Sequence, residues 1–148
     1  MSATIYYAVL ALVAGIGIPV MASISSALGL RLASTSAAAM VLFSGAFIIA
    51  LFATLLTGIP SIKSFQSAPP QLYIGGMFVA FYVLSITWLV PRFGVGNSIF
   101  LVLLGQILSA SLIDHFGLFN TQATPLSAAR LLGIVLMIIG LFLSRRVS

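Results

Sequence analysis

The sequence predicts an all-α membrane protein with five transmembrane helices, and three observations predict it. Of 148 residues, 61% are apolar and only 5% are charged, giving a mean hydropathy of +1.29, whereas a soluble domain carries roughly a quarter charged residues. The apolar residues fall in continuous runs close to the ~20 residues that cross about 30 Å of hydrocarbon as helix. They do not alternate in the short segments of about ten residues that build a membrane β-barrel. Between the runs, cations, prolines and polar clusters coincide, as they do at loops.

The first run covers 6–28 and the second 36–56, separated by Arg31 and the helix-starting cluster Ser34-Thr35-Ser36. Met1 to Thr4 carries no cation, and the first run is too long for the apolar part of a signal peptide, so it reads as a retained helix. A polar connection follows, with Gly58, Pro60, Lys63, Gln66 and Pro69-Pro70, none of it expected to continue a helix. The third run is 71–90, closed by a reversal at Pro91-Arg92-Phe93-Gly94, and the fourth is 95–113. After a mixed polar loop, Pro125 is expected to open the fifth run, 125–144, which ends at Arg145-Arg146. The five runs form a single transmembrane domain over 1–148.

Six Lys or Arg, one acid and one His give a formal charge of +5. The cations stand singly, apart from Arg145-Arg146, which is a loop pattern and not the basic stripe of a nucleic-acid-binding protein. The lipid bilayer is the expected partner and nucleic acid is not. Alternating sides put Arg31, Arg92, Arg145 and Arg146 against Lys63 and Arg130, four to two, a weak bias toward a cytoplasmic C-terminus that leaves room for insertion both ways.

Small residues mark the faces on which helices meet. Ala8, Ala11, Gly15, Pro19, Ala22, Ser26 and Gly29 recur at spacings of three and four on the first helix. Pro19 removes a hydrogen bond to the Gly15 carbonyl, so this helix is expected to kink or open at mid-bilayer depth, either for packing or to face a ligand. On the third helix Gly76, Ala80, Val83 and Thr87 form a packing face, while Phe81, Ser85, Trp88 and Arg92 form another. Tyr82 and Ser85 lie near mid-span, and Trp88 lies near the boundary, where an aromatic anchor is the alternative reading. Gln106 sits near the centre of the fourth helix, with Ser98, Gly105 and Ser109 beside it. Its amide must bond either another helix or a solute.

Asp114 and His115 end that helix and are the candidates for coupling to protons, with a structural ion pair to Arg130 as the alternative. Gly133 and Gly140 mark a candidate dimer face on the last helix. With no Cys, one His and one acid, and none of the HExxH, Walker or GxSxG motifs, the chain offers neither an enzyme site nor a place for a metal or cofactor.

The run Gly75-Gly76 through Phe81-Tyr82-Val83, then Leu89-Val90-Pro91-Arg92-Phe93-Gly94, Gly105-Gln106, Leu112-Ile113-Asp114-His115-Phe116-Gly117-Leu118-Phe119, and Pro125-Leu126-Ser127 before Arg130-Leu131-Leu132-Gly133, resembles the YdcZ-like family of the drug/metabolite transporter superfamily, small bacterial inner-membrane proteins. The resemblance implies a four-helix transporter core plus one terminal helix. Two oppositely oriented chains, identical or homologous, would then make a ten-helix antiparallel dimer. It also places a substrate path near mid-bilayer between the halves, at the depth of Pro19, Tyr82 and Gln106. Where that family carries a Gln and an Asn on the first helix, this chain has Met21 and Ser25, and the buried Glu of small multidrug-resistance relatives is absent. The expected activity is therefore secondary transport, as an exporter of a small neutral or amphipathic solute. A passive facilitator and a non-transport scaffold are the alternatives.

Overall fold

The computed structural model describes residues 3–121 and 123–145. The elements are helical throughout: α1 (Ala3–Arg31), α2 (Thr35–Thr57), α3 (Ile62–Ser67), a 3₁₀ turn at Pro70–Ile74, α4 (Gly75–Phe93), α5 (Val95–Phe116), a 3₁₀ turn at Leu118–Asn120, and α6 (Ala128–Arg145). Arg146, the second of the terminal cation pair, lies outside the described residues. Four stretches are long and apolar enough to cross a bilayer: Thr4–Arg31, Thr35–Thr57, Pro70–Phe93 and Val95–Phe116. The expected fifth is shorter, with its apolar helix at Ala128–Gly140. The 18 residues of α6 rise only about 27 Å.

Three boundaries differ from the sequence reading, each for a local reason. The 58–74 connection is not devoid of helix: Ser61 accepts from the Ser64 N–H at 3.3 Å and starts α3 in the stretch between Pro60 and Pro69. Tyr73 then ties the following turn back, its hydroxyl donating to the Phe65 carbonyl at 2.6 Å. α4 does not stop before Pro91 but runs through it to Phe93, and the turn comes at Gly94, whose φ of 84° is left-handed. Pro125 does not open α6. The Leu126 N–H is held by His115 Nδ1 at 3.1 Å, and Ser127 Oγ accepts from the Arg130 N–H at 3.2 Å, so Ser127 caps a helix that begins at Ala128.

The chain divides into two compact units, Met1–Val95 and Gly96–Ser148. In the first, α1, α2 and α4 pack on one another, and the packing is confined to one end. Ala22, Ser25, Ser26 and Gly29 of α1, Ala38 and Ala39 of α2, and Val83, Ile86, Thr87 and Val90 of α4 are buried. From Thr4 to Gly17, and from Ser44 to Ala53, every residue is exposed. A Cβ added at Gly29 would lie 3.2 Å from Thr87 Cγ2 and 3.7 Å from Ala38 Cβ, whereas one at Gly15, Gly17 or Gly45 would meet nothing within 4 Å. The three helices therefore converge at the α1–α2 turn and splay at the opposite end.

A three-residue turn makes that convergence. The Ser34 N–H bonds the Gly29 carbonyl at 3.0 Å and the Ala33 N–H bonds that of Leu30 at 3.2 Å, with Ala33 left-handed at φ 49°, which is a Schellman closure of α1. Ser34 then caps α2 through the Ala37 N–H at 3.2 Å. α1 remains helical throughout, Pro19 included, so the opening expected there does not interrupt the helix.

In the second unit, the loop after α5 is clasped at its base. Gly117 is left-handed at φ 59°, the Thr124 N–H donates to the Asp114 carbonyl at 2.8 Å, and Arg130 Nη2 meets Asp114 Oδ2 at 2.7 Å. The ion pair with Arg130 weighed for Asp114 is thus formed in the fold.

Candidate functional site

The residues singled out in the sequence distribute over both units. In the first, α4 positions Tyr82, Ser85 and Trp88. Ser85 and Trp88 line an open groove of about 420 Å³ together with Thr35, Leu84 and Leu89. Trp88 is half exposed, and the Arg92 guanidinium lies 4.2 Å from its ring centroid while Nη1 donates to the Trp88 carbonyl at 2.7 Å. One ring face is thus occupied by a cation one turn further along the same helix, an arrangement suited to the membrane boundary. Tyr82 is half-buried and its Oη is shielded, yet the hydroxyl has no hydrogen-bond partner among the described residues. Pro19 is half-buried on α1, its carbonyl taken by Ser23 Oγ at 2.8 Å. Neither Tyr82 nor Pro19 belongs to the groove that holds Ser85 and Trp88.

The packing residues separate along the same lines. Ala22 and Ser26 are buried where the helices converge, and Ala80 is half-buried. Gly15, Gly76, Gly105, Gly133 and Gly140 have nothing within 4 Å of a Cβ position. Those five leave flat helix surface that the chain itself does not fill.

Two residues that the sequence reading did not assign to the site organise the core. Ser25 Oγ and Thr87 Oγ1 lie 2.8 Å apart, both buried, and join α1 to α4. The signal for this bond was present: Ser25 adjoins the small stripe of α1, Thr87 lies on that of α4, and two small-residue faces bearing hydroxyls are where membrane helices bond. Ser26, one residue on, is 4% exposed and makes no hydrogen bond among the described residues.

In the second unit Gln106 is exposed on α5 and its side-chain amide makes no hydrogen bond among the described residues, while Ser109 Oγ donates to the Gly105 and Gln106 backbone carbonyls at 2.9 and 3.1 Å. Ser111 is buried, and its hydroxyl has no partner among the described residues. In hydrocarbon an amide such as that of Gln106 requires a partner from another helix, another chain or a solute. Asp114 and His115 are engaged in the loop clasp, His115 through an Nδ1 that accepts from the Leu126 N–H, a role that requires the proton on Nε2. Among the described residues no cluster of His, Asp or Glu could hold a metal ion.

Comparison with protein families finds one that covers residues 6–143, described as "Putative inner membrane exporter, YdcZ". No curated protein and no solved structure matches the chain significantly. The match spans all four candidate membrane helices and nearly all of α6.

Proposed function

The chain belongs to the YdcZ family of inner-membrane exporters, and from that membership we propose that it exports a small neutral or amphipathic solute by alternating access. It is a multi-pass protein of the bacterial inner membrane, and its membership of an exporter family implies a transporter rather than an enzyme. The observation that carries the finer reading is the shielded, unpartnered Tyr82 hydroxyl on α4, in a three-helix bundle packed at one end and open at the other. A buried hydroxyl without a partner costs about 1–3 kcal/mol, and a solute that bonds it during passage offsets that cost. The side-chain amide of Gln106, exposed on a membrane helix and without a hydrogen bond among the described residues, is a second group that a solute can satisfy. The open glycine surfaces at Gly15, Gly76 and Gly140 support pairing with a second, oppositely oriented chain, whose helices would close the splayed end and complete a path between the halves.

The test is export from cells that overproduce the chain, followed by metabolite profiling of the medium and by counterflow in proteoliposomes for each solute that accumulates. Tyr82→Phe and Gln106→Leu should each reduce counterflow by roughly tenfold while leaving yield and dimer content unchanged. Full transport in both variants would remove these residues from the path. Flux that does not saturate, with no counterflow, would replace the carrier by a facilitator.

A further inference from the structure

The converged end of the first unit holds a cavity that the export reading does not use. Its volume is about 340 Å³, within the range of small-ligand pockets. Its polar wall is made by Ser26 of α1, Ser34 and Thr35 at the start of α2, and Thr87 and Arg92 of α4.

The charge there has one sign. Arg92 is on the wall, Arg31 is in the last turn of α1, and the only acid of the chain, Asp114, belongs to the other unit. Several carbonyls at the ends of α1 and α4 are taken: Leu28, Gly29 and Leu30 by the N–H groups of Leu32, Ser34 and Ala33, Val90 by that of Gly94, and Trp88 by Arg92. The Thr87 carbonyl lacks its usual helical donor, because residue 91 is a proline.

Donors stand against it in excess. The Ser26 hydroxyl lines the cavity without a hydrogen bond, although the residue is 4% exposed. Among the described residues Arg92 donates only through Nη1, which leaves its other guanidinium N–H groups to be bonded. The first turn of α2, a 23-residue helix, adds orphan N–H groups and the positive end of its dipole, with only the Ala37 N–H capped by Ser34 Oγ.

We infer that this cavity binds a phosphate group, held by Arg92, the Ser26 hydroxyl and the α2 N-terminus. An Arg fork beside a helix N-terminus suits phosphate geometry and charge. The Trp88–Arg92 pair puts the site at the depth of lipid headgroups, so the phosphate is supplied either by a free anion or by a phospholipid.

Trp88 is the only Trp of the chain and carries Arg92 on its ring, so it reports on the site. The full-length protein in phosphate-free dodecyl maltoside is titrated with inorganic phosphate and, separately, with micellar phosphatidylglycerol. Sodium chloride at equal ionic strength and diacylglycerol are the controls, and Trp88 emission and the thermal midpoint are read together. A saturable change in both is expected with a phosphate-bearing probe and with neither control. Response to inorganic phosphate assigns a free anion, and response to phosphatidylglycerol alone assigns a headgroup. Arg92→Gln, followed by the thermal midpoint because it alters the reporter, should weaken binding roughly tenfold or more, and Ser26→Ala several-fold. Arg31→Gln, off the cavity wall, should weaken binding far less than Arg92→Gln. No saturable response to either probe, a response that survives Arg92→Gln, or an equal loss in Arg31→Gln would overturn the site.

Discussion

The hydroxyl pair of Ser25 and Thr87 shows what a polar contact contributes between membrane helices. Their oxygens are 2.8 Å apart in the most tightly buried part of the molecule, beside Ala22, Val83 and Ile86. Such bonds contribute about 0.6 kcal/mol on average and up to about 1.7. Replacing one partner adds the cost of the hydroxyl left behind. Thr87→Val should therefore lower stability toward SDS unfolding by about 1–2 kcal/mol, and Ser25→Ala by a similar amount. The double variant should cost less than the sum of the two, because no hydroxyl is then stranded. Strict additivity in that cycle would mean that the two oxygens are neighbours without being bonded. In the sequence Thr87 lies on a small-residue face and Ser25 beside one, but nothing pairs one with the other, since the contact is made 62 positions apart.

Among the elements, the five apolar runs are legible because hydrocarbon demands them. Their ends are less so, because a helix end is decided by individual hydrogen bonds. Pro125 looks like a first helical residue, yet His115 captures the Leu126 N–H and hands the cap to Ser127. Pro91 looks like a stop, yet the terminator is Gly94, three residues on. Which face of each helix is buried is equally hard to read, because both the lipid-facing and the protein-facing sides are apolar and only the small residues distinguish them. The α1–α2 turn illustrates an element held at a local cost. Ala33 occupies the left-handed position of a Schellman closure, where a β-carbon is disfavoured by about 1–2 kcal/mol and Gly is the usual occupant. Ala33→Gly should therefore stabilise the protein by about 1 kcal/mol in SDS titration, with Trp88 emission unchanged. A loss of stability would mean that the alanine methyl packs well enough to outweigh the backbone strain.

At the scale of the whole molecule, the packing within the first unit and the cation count point the same way. A bundle packed at one end, with glycine surface open at the other, leaves an apolar chain that bilayer lipid solvates but does not order. A second copy in the opposite orientation would bring a converged end against a splayed one. That arrangement requires a chain that inserts both ways, and cations split four to two provide only a weak orienting bias. The chain has no Cys, so a single Gln66→Cys on the exposed α3 helix of the connection reports which side that connection faces. Impermeant maleimide applied to intact cells should label about half of the molecules, the rest reacting only after permeabilisation. Lys63→Gln removes one of the two cations on that side, making the count four to one, and should raise the externally labelled fraction. Because an antiparallel homodimer needs both orientations in equal number, the same substitution should lower the yield of dimer as it skews the labelling. Uniform labelling in the parent chain, on either side, would require a separate oppositely oriented partner for the same architecture.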